Sequence, residues 1–258
     1  MTTSTGQLHY ARAGDGVPAV LIHQSPSSHA MWDPILPMLA ARGYSAIAVD
    51  LPGHGMSDPL PEKPSVEDYA DSLEDLLTGL GIARCHLVGH HTGVAVALSF
   101  AARHPRRVGR IAGWGIPLLD EETARAMATE PGPRYDRDGG EVIARWKTYW
   151  KYAREGSPPG PIVRSLTEVL LTGDRRADAH NALGEADVET LLREVAVPML
   201  SIAGTREMLH AASVRAAELS PLIEYRELGD SGFFVVDEEP EAFADAVAEH
   251  LGTEPLVP

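Results

Sequence analysis

The chain has 258 residues, a net charge of −15 and one cysteine, and 44% of its residues are hydrophobic. This length allows one large α/β domain. The negative net charge disfavours binding to nucleic acid or anionic membranes. The lone Cys85 excludes an internal disulfide and a cysteine-based zinc site. The first residues lack a signal-peptide pattern and no apolar run reaches about 18 residues, so we predict a cytoplasmic protein.

Strands and helices alternate in the first predicted elements. These are a strand at 8–12, a buried strand at 19–22, a helix through 32–39, a strand at 45–50, a helix that begins at Ser65, a strand at 85–88 and a helix at 94–102. Ser65 and Asp68 form a variant of the capping box. This alternation predicts an α/β fold with a mostly parallel central sheet flanked by helices.

The alternation is lost between residues 118 and 189, where prolines and glycines separate short helical pieces. It resumes with a strand at 198–203, a helix at 212–219, a strand at 223–228 and a last helix at 240–251. We therefore predict a single domain. Its core comprises residues 1–117 and 190–258, and a helical cap is inserted at 118–189.

A glycine-bounded turn follows the strand at 85–88. It reads Gly89-His90-His91-Thr92-Gly93, which has the Gly-x-nucleophile-x-Gly spacing of a nucleophile elbow between a strand and a helix. Three other segments match motifs of one superfamily in which such elbows occur. They lie at 23–26 (HQSP), 50–58 (DLPGHGMSD) and 238–243 (EEPEAF). On these motifs the chain resembles the α/β-hydrolase superfamily over almost its whole length outside the cap. The resemblance implies that fold but indicates much less about the reaction.

The chain departs from that superfamily at the catalytic triad. His91 stands at the elbow where relatives have serine, and Phe233 stands where they have the basic histidine. The loop that usually carries an aspartate ends here in Glu207. Triad chemistry needs a hydroxyl, a base and a carboxylate, and only the carboxylate is retained. An ordinary serine esterase is therefore disfavoured.

His91 can itself serve as a general acid and base. The resemblance implies an oxyanion hole made by the backbone N–H groups of Ser25 and Thr92, which do not depend on the side chain at the elbow. A base opposite such donors suits proton removal next to a carbonyl. Our leading hypothesis is therefore a cofactor-independent epimerase, isomerase, lyase or cyclase, similar to non-hydrolytic superfamily members such as the atypical peptide epimerase of bottromycin biosynthesis.

Two alternatives remain open. His91 could act in a hydrolase, either as a nucleophile or by activating water. The chain could also be a receptor-like protein that binds a ligand without turnover, with His91 filling an inactive elbow. In each case we expect a small-molecule or peptide-like ligand, and the sequence indicates neither its identity nor the oligomeric state.

Further histidines are candidates for supporting roles. Glu207 is predicted to orient a partner or act as a second acid or base, and His90 and His210 are predicted to relay protons. We expect His90 to point away from His91 or toward the cap, and His210 to approach the pocket from the acid loop. An alternative metal site would combine these histidines with His23, but no short ligand spacing supports it and we predict no metal.

Substrate contacts are predicted in two places. His23 and Gln24 precede Ser25 in the oxyanion loop, where histidine in relatives mainly braces the loop. In the cap, aromatic residues and cations concentrate between Arg145 and Arg154. Helical spacing places Trp146 and Trp150 on one face, which together with Phe233 would line the pocket. The cations either meet an acidic group of the substrate or simply face water.

Overall fold

A seven-stranded sheet forms the centre of the computed structural model, which describes residues 1–3, 6–61 and 63–256. The strands are β1 (Thr2–Thr3), β2 (Gly6–Gln7), β3 (Tyr10–Ala13), β4 (Val17–Ile22), β5 (Tyr44–Val49), β6 (Cys85–His90), β7 (Val108–Trp114), β8 (Met199–Ala203) and β9 (Ile223–Glu227). The order in the large sheet is β3-β5-β4-β6-β7-β8-β9. Only β3 runs antiparallel to its neighbour, so the predicted mostly parallel sheet is confirmed.

Strand β7 lies in the middle of the sheet, yet the sequence analysis did not predict it. Gly109, Arg110 and Gly113 interrupt its apolar run, which removes the continuous pattern typical of a buried parallel strand. The strand forms because β6 and β8 pair with it on both sides. Pairing on both edges thus overrides a weak local signal.

Helices cover both faces of the sheet. They are α1 (Leu36–Ala41), α2 (Val66–Gly79), α3 (Thr92–Arg103), α4 (Glu121–Ala128), α5 (Gly140–Tyr152), α6 (Gly160–Thr172), α7 (Asp178–Glu185), α8 (Val188–Arg193), α9 (His210–Ala216), α10 (Val235–Glu238) and α11 (Pro240–Leu251). The capping box of Ser65 and Asp68 is present at the start of α2. Among the described residues, no helix is both long and apolar enough to cross a membrane.

Two apolar clusters, one on each face, hold the helices to the sheet. Helices α2 and α3 bury residues such as Leu73 and Phe100 against one face, and α1 and α11 bury Leu39 and Phe243 against the other. Alternate residues of a strand serve the two clusters, as with Leu21 and Ile22 of β4. Both faces of the sheet are therefore covered by apolar side chains.

The segment between β7 and β8 is helical, as predicted for the cap. It contains α4, α5 and α6, then a 3₁₀ helix at Gly173–Ala177, and then α7 and α8. Helix α8 packs against α3 of the core. The predicted boundary at residue 189 therefore falls within α8 rather than between two elements.

The turn between β6 and α3 requires glycine because backbone segments approach each other closely there. A Cβ on Gly93 would lie 2.1 Å from the carbonyl oxygen of Ile22, and one on Gly89 would lie 2.6 Å from the amide nitrogen of Val94. Neither contact can be relieved by rotating a side chain, since both involve backbone atoms. These glycines bring β4, β6 and α3 together at the edge of the sheet.

We predict that Gly93→Ala lowers the free energy of unfolding by about 1–3 kcal/mol, since the added methyl group overlaps the backbone of β4. Denaturant-induced unfolding measures the change. The control is Gly160→Ala, where no atom lies within 4 Å of the added carbon. Equal stability of the two variants would contradict this account of the turn.

Candidate active site

His91 occupies a strained turn at the end of β6. Its φ of 46° and ψ of −112° make it the one residue other than glycine with a positive φ in the described part of the chain. Backbone hydrogen bonds fix this geometry, because His91 N donates to Trp114 O (3.0 Å) and His91 O accepts from Val94 N (2.8 Å). Strain of this kind persists only where the surroundings enforce it, and it is common at functional sites.

The His91 ring is hydrogen-bonded to a buried carboxylate. Its Nε2 lies 2.9 Å from Oε1 of Glu207, and the other carboxylate oxygen accepts from the indole N–H of Trp114 at 2.8 Å. Glu207 is 4% exposed. Burial alone would raise the pKa of this carboxyl, but the charge and hydrogen bond of His91 outweigh burial and lower the pKa to about 2. Glu207 is therefore ionised.

The ionised carboxylate fixes the tautomer of His91. A carboxylate only accepts hydrogen bonds, so Nε2 of His91 carries the proton, and in the neutral ring Nδ1 carries the lone pair. Nδ1 has no hydrogen-bond partner among the described residues. Gly115 leaves room for this arrangement, because a Cβ there would lie 2.5 Å from Nε2 of His91.

His91 lines a cavity of about 260 Å³ between the sheet edge and the cap. The core contributes Gln24, Ser25, Pro26, His91, Thr92, Pro117, Met208, Leu209 and Phe233, and the cap contributes Leu119, Thr123, Met127, Arg145, Thr148, Tyr149, Tyr152, His180 and Leu183. The lining is largely apolar with a few polar groups, which is typical of a small-molecule site.

The two predicted oxyanion donors both border this cavity. Ser25 and Thr92 lie in its wall with His91. Thr92 is the first residue of α3, where a backbone N–H has no partner within the helix. Neither backbone N–H has an acceptor among the described residues. The site thus combines a histidine lone pair with two unpaired backbone donors.

The two predicted contacts from the oxyanion loop have different positions. Gln24 lines the cavity, whereas His23 is completely buried behind it. The His23 ring hydrogen-bonds the carbonyl of Gln24 through Nδ1 (2.7 Å) and accepts from the backbone N–H of Leu51 at Nε2 (2.9 Å). Burial lowers the pKa of His23, so the ring stays neutral. It braces the loop and does not reach the cavity.

His90 lies beside His91, so the prediction that its side chain points away from His91 is wrong. The two ring centroids are 4.4 Å apart, and His90 packs between Trp32 and Trp114 with no exposed surface. His90 is buried because it is the last residue of β6, and its side chain therefore faces the helices on one side of the sheet. Burial lowers the pKa of His90 well below its ordinary value. Neither ring nitrogen forms a hydrogen bond of normal geometry with a described residue.

His210 lies at the start of α9 and not in the cavity wall. Its Nε2 is 3.0 Å from the carboxylate of Glu227 and 3.1 Å from the hydroxyl of Tyr225. The expected approach to the pocket is therefore wrong, because β9 holds the ring at the outer side. The alternative histidine metal set is not assembled either. Among the described residues, the one group with metal-ligand spacing is a different cluster, namely His9, His29 and Asp50.

The face of the cap helix α5 that lines the cavity differs from the predicted face. Arg145, Thr148, Tyr149 and Tyr152, spaced three and four residues apart, line the cavity. Trp146 and Trp150 instead pack against each other, with ring centroids 5.8 Å apart, and Trp150 is 37% exposed. Both faces of this helix carry aromatics, so hydrophobicity alone does not identify the inner one. Phe233, as predicted, lines the cavity, and it packs against Tyr149 and Tyr152.

The cavity residues that the sequence analysis missed include His180. It lies on α7, and its Nδ1 is 2.7 Å from Glu130 while its Nε2 is 2.9 Å from the carbonyl oxygen of Ser25. The cap therefore touches the oxyanion loop directly. His180 belongs to no recognisable motif, so only its position in the folded chain reveals the contact.

A second cap residue holds the same loop. Glu168 of α6 accepts hydrogen bonds from the hydroxyls of Ser27 (2.8 Å) and Ser28 (2.5 Å). Burial raises the pKa of Glu168. Together with His180, this carboxyl ties the cap to the segment 25–28.

Comparison with known proteins agrees with this architecture. The family model described as "alpha/beta hydrolase fold" matches residues 18–132. The non-haem chloroperoxidase CPO-A1 of Kitasatospora aureofaciens is 26% identical over 274 residues, covering 97% of this chain and 98% of that protein. A thermophilic esterase from Thermogutta terrifontis superposes with a TM-score of 0.80 at 24% identity, over 96% of this chain and 95% of the esterase.

The protein has the α/β-hydrolase fold. A further relative, a 2-hydroxy-6-oxononadienedioate/2-hydroxy-6-oxononatrienedioate hydrolase of Pseudomonas putida, is 38% identical over 111 residues, covering 41% of this chain and 38% of that enzyme. These relatives are enzymes, mostly hydrolases. Within the α/β-hydrolase fold, His91 lies at the elbow and Glu207 in the loop after β8.

We predict that Glu207→Gln lowers the free energy of unfolding at pH 7 by about 1–3 kcal/mol, because two buried N–H donors lose a charged acceptor. The folded pKa of about 2 lies below the ordinary 4.5, so the stabilisation is complete above pH 4.5 and is lost as the pH falls through 2. When unfolding by denaturant is measured at pH 7 and at about pH 3, the difference in stability between wild type and Glu207→Gln should be smaller at the lower pH.

The control for this prediction is Glu227→Gln, which removes a half-exposed carboxylate from another histidine, His210. Its effect should stay within about 0.5 kcal/mol. A loss for Glu207→Gln that is the same at both pH values would show that the carboxylate charge is not the cause.

Proposed function

We propose that this protein is a cofactor-independent enzyme that uses His91 as a general base on a small carbonyl compound. The observation that carries this proposal is the hydrogen bond from His91 Nε2 to the ionised Glu207, which leaves the lone pair of this cavity-lining imidazole on Nδ1. Substrate carbonyl oxygen would lie against the unpaired N–H groups of Ser25 and Thr92. The favoured reaction removes a proton from the carbon next to that carbonyl.

The proposed step balances on the groups at hand. Nδ1 of His91 takes the proton, the C–H electron pair forms a carbon–carbon double bond, and the carbonyl oxygen becomes an enolate oxyanion that accepts from the two backbone donors. The positive charge that forms on the His91 ring is stabilised by Glu207, which keeps its hydrogen bond to Nε2. The imidazolium then returns the proton.

The number of available bases narrows the reaction class. The other histidine in the cavity wall, His180, has both ring nitrogens engaged by Glu130 and Ser25. Among the described lining residues, His91 is therefore the one histidine with a free nitrogen. A single base supports isomerisation, or elimination of a leaving group, more directly than an epimerisation that needs acids on both faces of the substrate.

Hydrolysis is the second candidate, and the comparisons favour it because the similar proteins are mostly hydrolases. His91 would take a proton from water, which attacks a carbonyl whose oxygen lies in the same oxyanion hole. A covalent route through an acyl-imidazole is less well supported. Phe233 stands in the sequence where relatives have the basic histidine, so no base is there to activate the water that would hydrolyse the acyl-imidazole.

To test the proposal, solvent deuterium exchange into 2-, 3- and 4-oxo carboxylic acids and their methyl esters should be followed by NMR. We expect the wild-type protein to accelerate exchange next to the ketone, and His91→Ala to lose about 10²–10⁴-fold of that rate. His210→Ala, which changes a histidine outside the cavity, is the matched control.

The same compounds report on hydrolysis, because ester cleavage releases methanol. Ester cleavage that depends on His91, without exchange, would replace the first candidate by the second. Exchange and cleavage rates that are identical in wild type and His91→Ala would exclude both.

A second prediction concerns the missing triad members. Restoring them by His91→Ser together with Phe233→His should produce hydrolysis of p-nitrophenyl acetate, because the oxyanion donors are backbone groups and Glu207 is released from His91. Each single variant should lack this activity, since a hydroxyl without a base is not activated. A double variant that folds but forms no acyl-enzyme by intact-mass analysis would contradict the proposed oxyanion hole.

A further inference from the structure

A group of charged side chains from the cap borders the cavity opposite the sheet edge. Arg145 and His180 line the cavity, and Arg176, Glu130 and Glu141 lie directly behind them. Arg145 also borders a second, more open cavity of about 500 Å³, together with Arg134 and Arg176. Glu130 and Glu141 lie in the wall of this outer cavity as well, so the group carries charges of both signs.

Arg145 has unused hydrogen-bonding capacity. Its one side-chain hydrogen bond among the described residues is a long one, 3.4 Å to Glu130. Glu130 makes shorter contacts to Arg176 (3.0 Å) and His180 (2.7 Å), so its carboxylate is already satisfied. A guanidinium has five N–H donors in a planar fork that fits a carboxylate. Most of the donors of Arg145 therefore lack a partner in the protein.

His180 occupies the same wall but has no ring nitrogen left for a ligand. Its Nδ1 lies against the carboxylate of Glu130 and its Nε2 against the carbonyl oxygen of Ser25. Arg176 is likewise paired with Glu130 and Glu141. Among the described residues that line the cavity, Arg145 is therefore the cation with donors to spare.

Tyr149 supplies a second donor one helical turn after Arg145. Its side chain is buried at the cavity wall, and its hydroxyl has no hydrogen-bond partner among the described residues. Burial raises the pKa of Tyr149 to about 12, so the hydroxyl keeps its proton. The hydroxyl oxygen keeps some accessible surface although the residue is buried, so it can donate to a ligand in the cavity.

We propose that the cavity binds a small carboxylate-bearing compound, with the carboxylate held by the Arg145 guanidinium and the Tyr149 hydroxyl. If the proposed function is correct, the carbonyl of this compound faces His91, and the substrate is an oxo acid or an acid ester. The cavity volume of about 260 Å³ lies near the lower end of known ligand sites and suits a compact ligand.

The experiment measures binding and does not depend on turnover. The probes are 4-phenylbutyrate and its neutral amide, 4-phenylbutanamide, titrated calorimetrically into wild type, Arg145→Gln and Tyr149→Phe. The matched control is Lys147→Gln, which removes an equal charge from an exposed position of the same helix. Thermal unfolding of each variant verifies that it is folded.

We expect wild type to bind the carboxylate about tenfold or more tightly than the amide, as for hydrogen bonds to charged groups. Arg145→Gln should abolish this preference, Tyr149→Phe should reduce it, and Lys147→Gln should retain it. Equal binding of both probes by wild type, or binding of neither at millimolar concentration, overturns the proposal. A preference that survives in Arg145→Gln also overturns it.

The outcome is separable from that of the proposed function. Because Arg145 and Tyr149 hold the carboxylate, His91→Ala should keep the preference for 4-phenylbutyrate over the amide, whatever its overall affinity in the enlarged cavity. If the preference depends on Arg145 while proton exchange does not depend on His91, only the catalytic proposal fails. If exchange depends on His91 but Arg145→Gln keeps its carboxylate preference, only the subsite fails.

Discussion

The hydrogen bond between His91 and Glu207 is the interaction on which the rest of the site depends. It joins the elbow after β6 to the loop after β8, and Trp114 of the intervening strand β7 donates to the same carboxylate. Three adjacent strands are thereby fixed to one buried negative charge. The charge sets the tautomer of the imidazole, and the imidazole in turn keeps the carboxyl ionised in a dry environment.

This arrangement uses the α/β-hydrolase fold with one fewer component than a triad. In the usual arrangement a carboxylate orients a histidine, and the histidine activates a hydroxyl at the elbow. Here the histidine itself occupies the elbow and the carboxylate contacts it directly. Phe233 closes the space where the base would be and packs against Tyr149 and Tyr152 of the cap. The proposed base therefore lies at the elbow itself, while the backbone N–H groups of Ser25 and Thr92 border the same cavity.

Much of the fold and part of the site could be predicted from the sequence. The buried strands, the capping box at Ser65 and the glycines around His91 leave local patterns that physical rules identify. Strand β7 and the inner face of α5 depend on tertiary neighbours, so their local patterns were absent or ambiguous. His180 illustrates the same limit. Its contact with Ser25 joins the cap to a loop 155 residues earlier in the chain.

For the proposed reaction, the two cap contacts on the segment 25–28 bear on when catalysis can begin. His180 holds the carbonyl of Ser25, and Glu168 holds the hydroxyls of Ser27 and Ser28. Lifting the cap removes three hydrogen bonds from the loop that carries one of the two oxyanion donors. An open protein would therefore have a base but an incomplete oxyanion hole, and reactivity would begin only when the cap has closed over its ligand and water has been excluded.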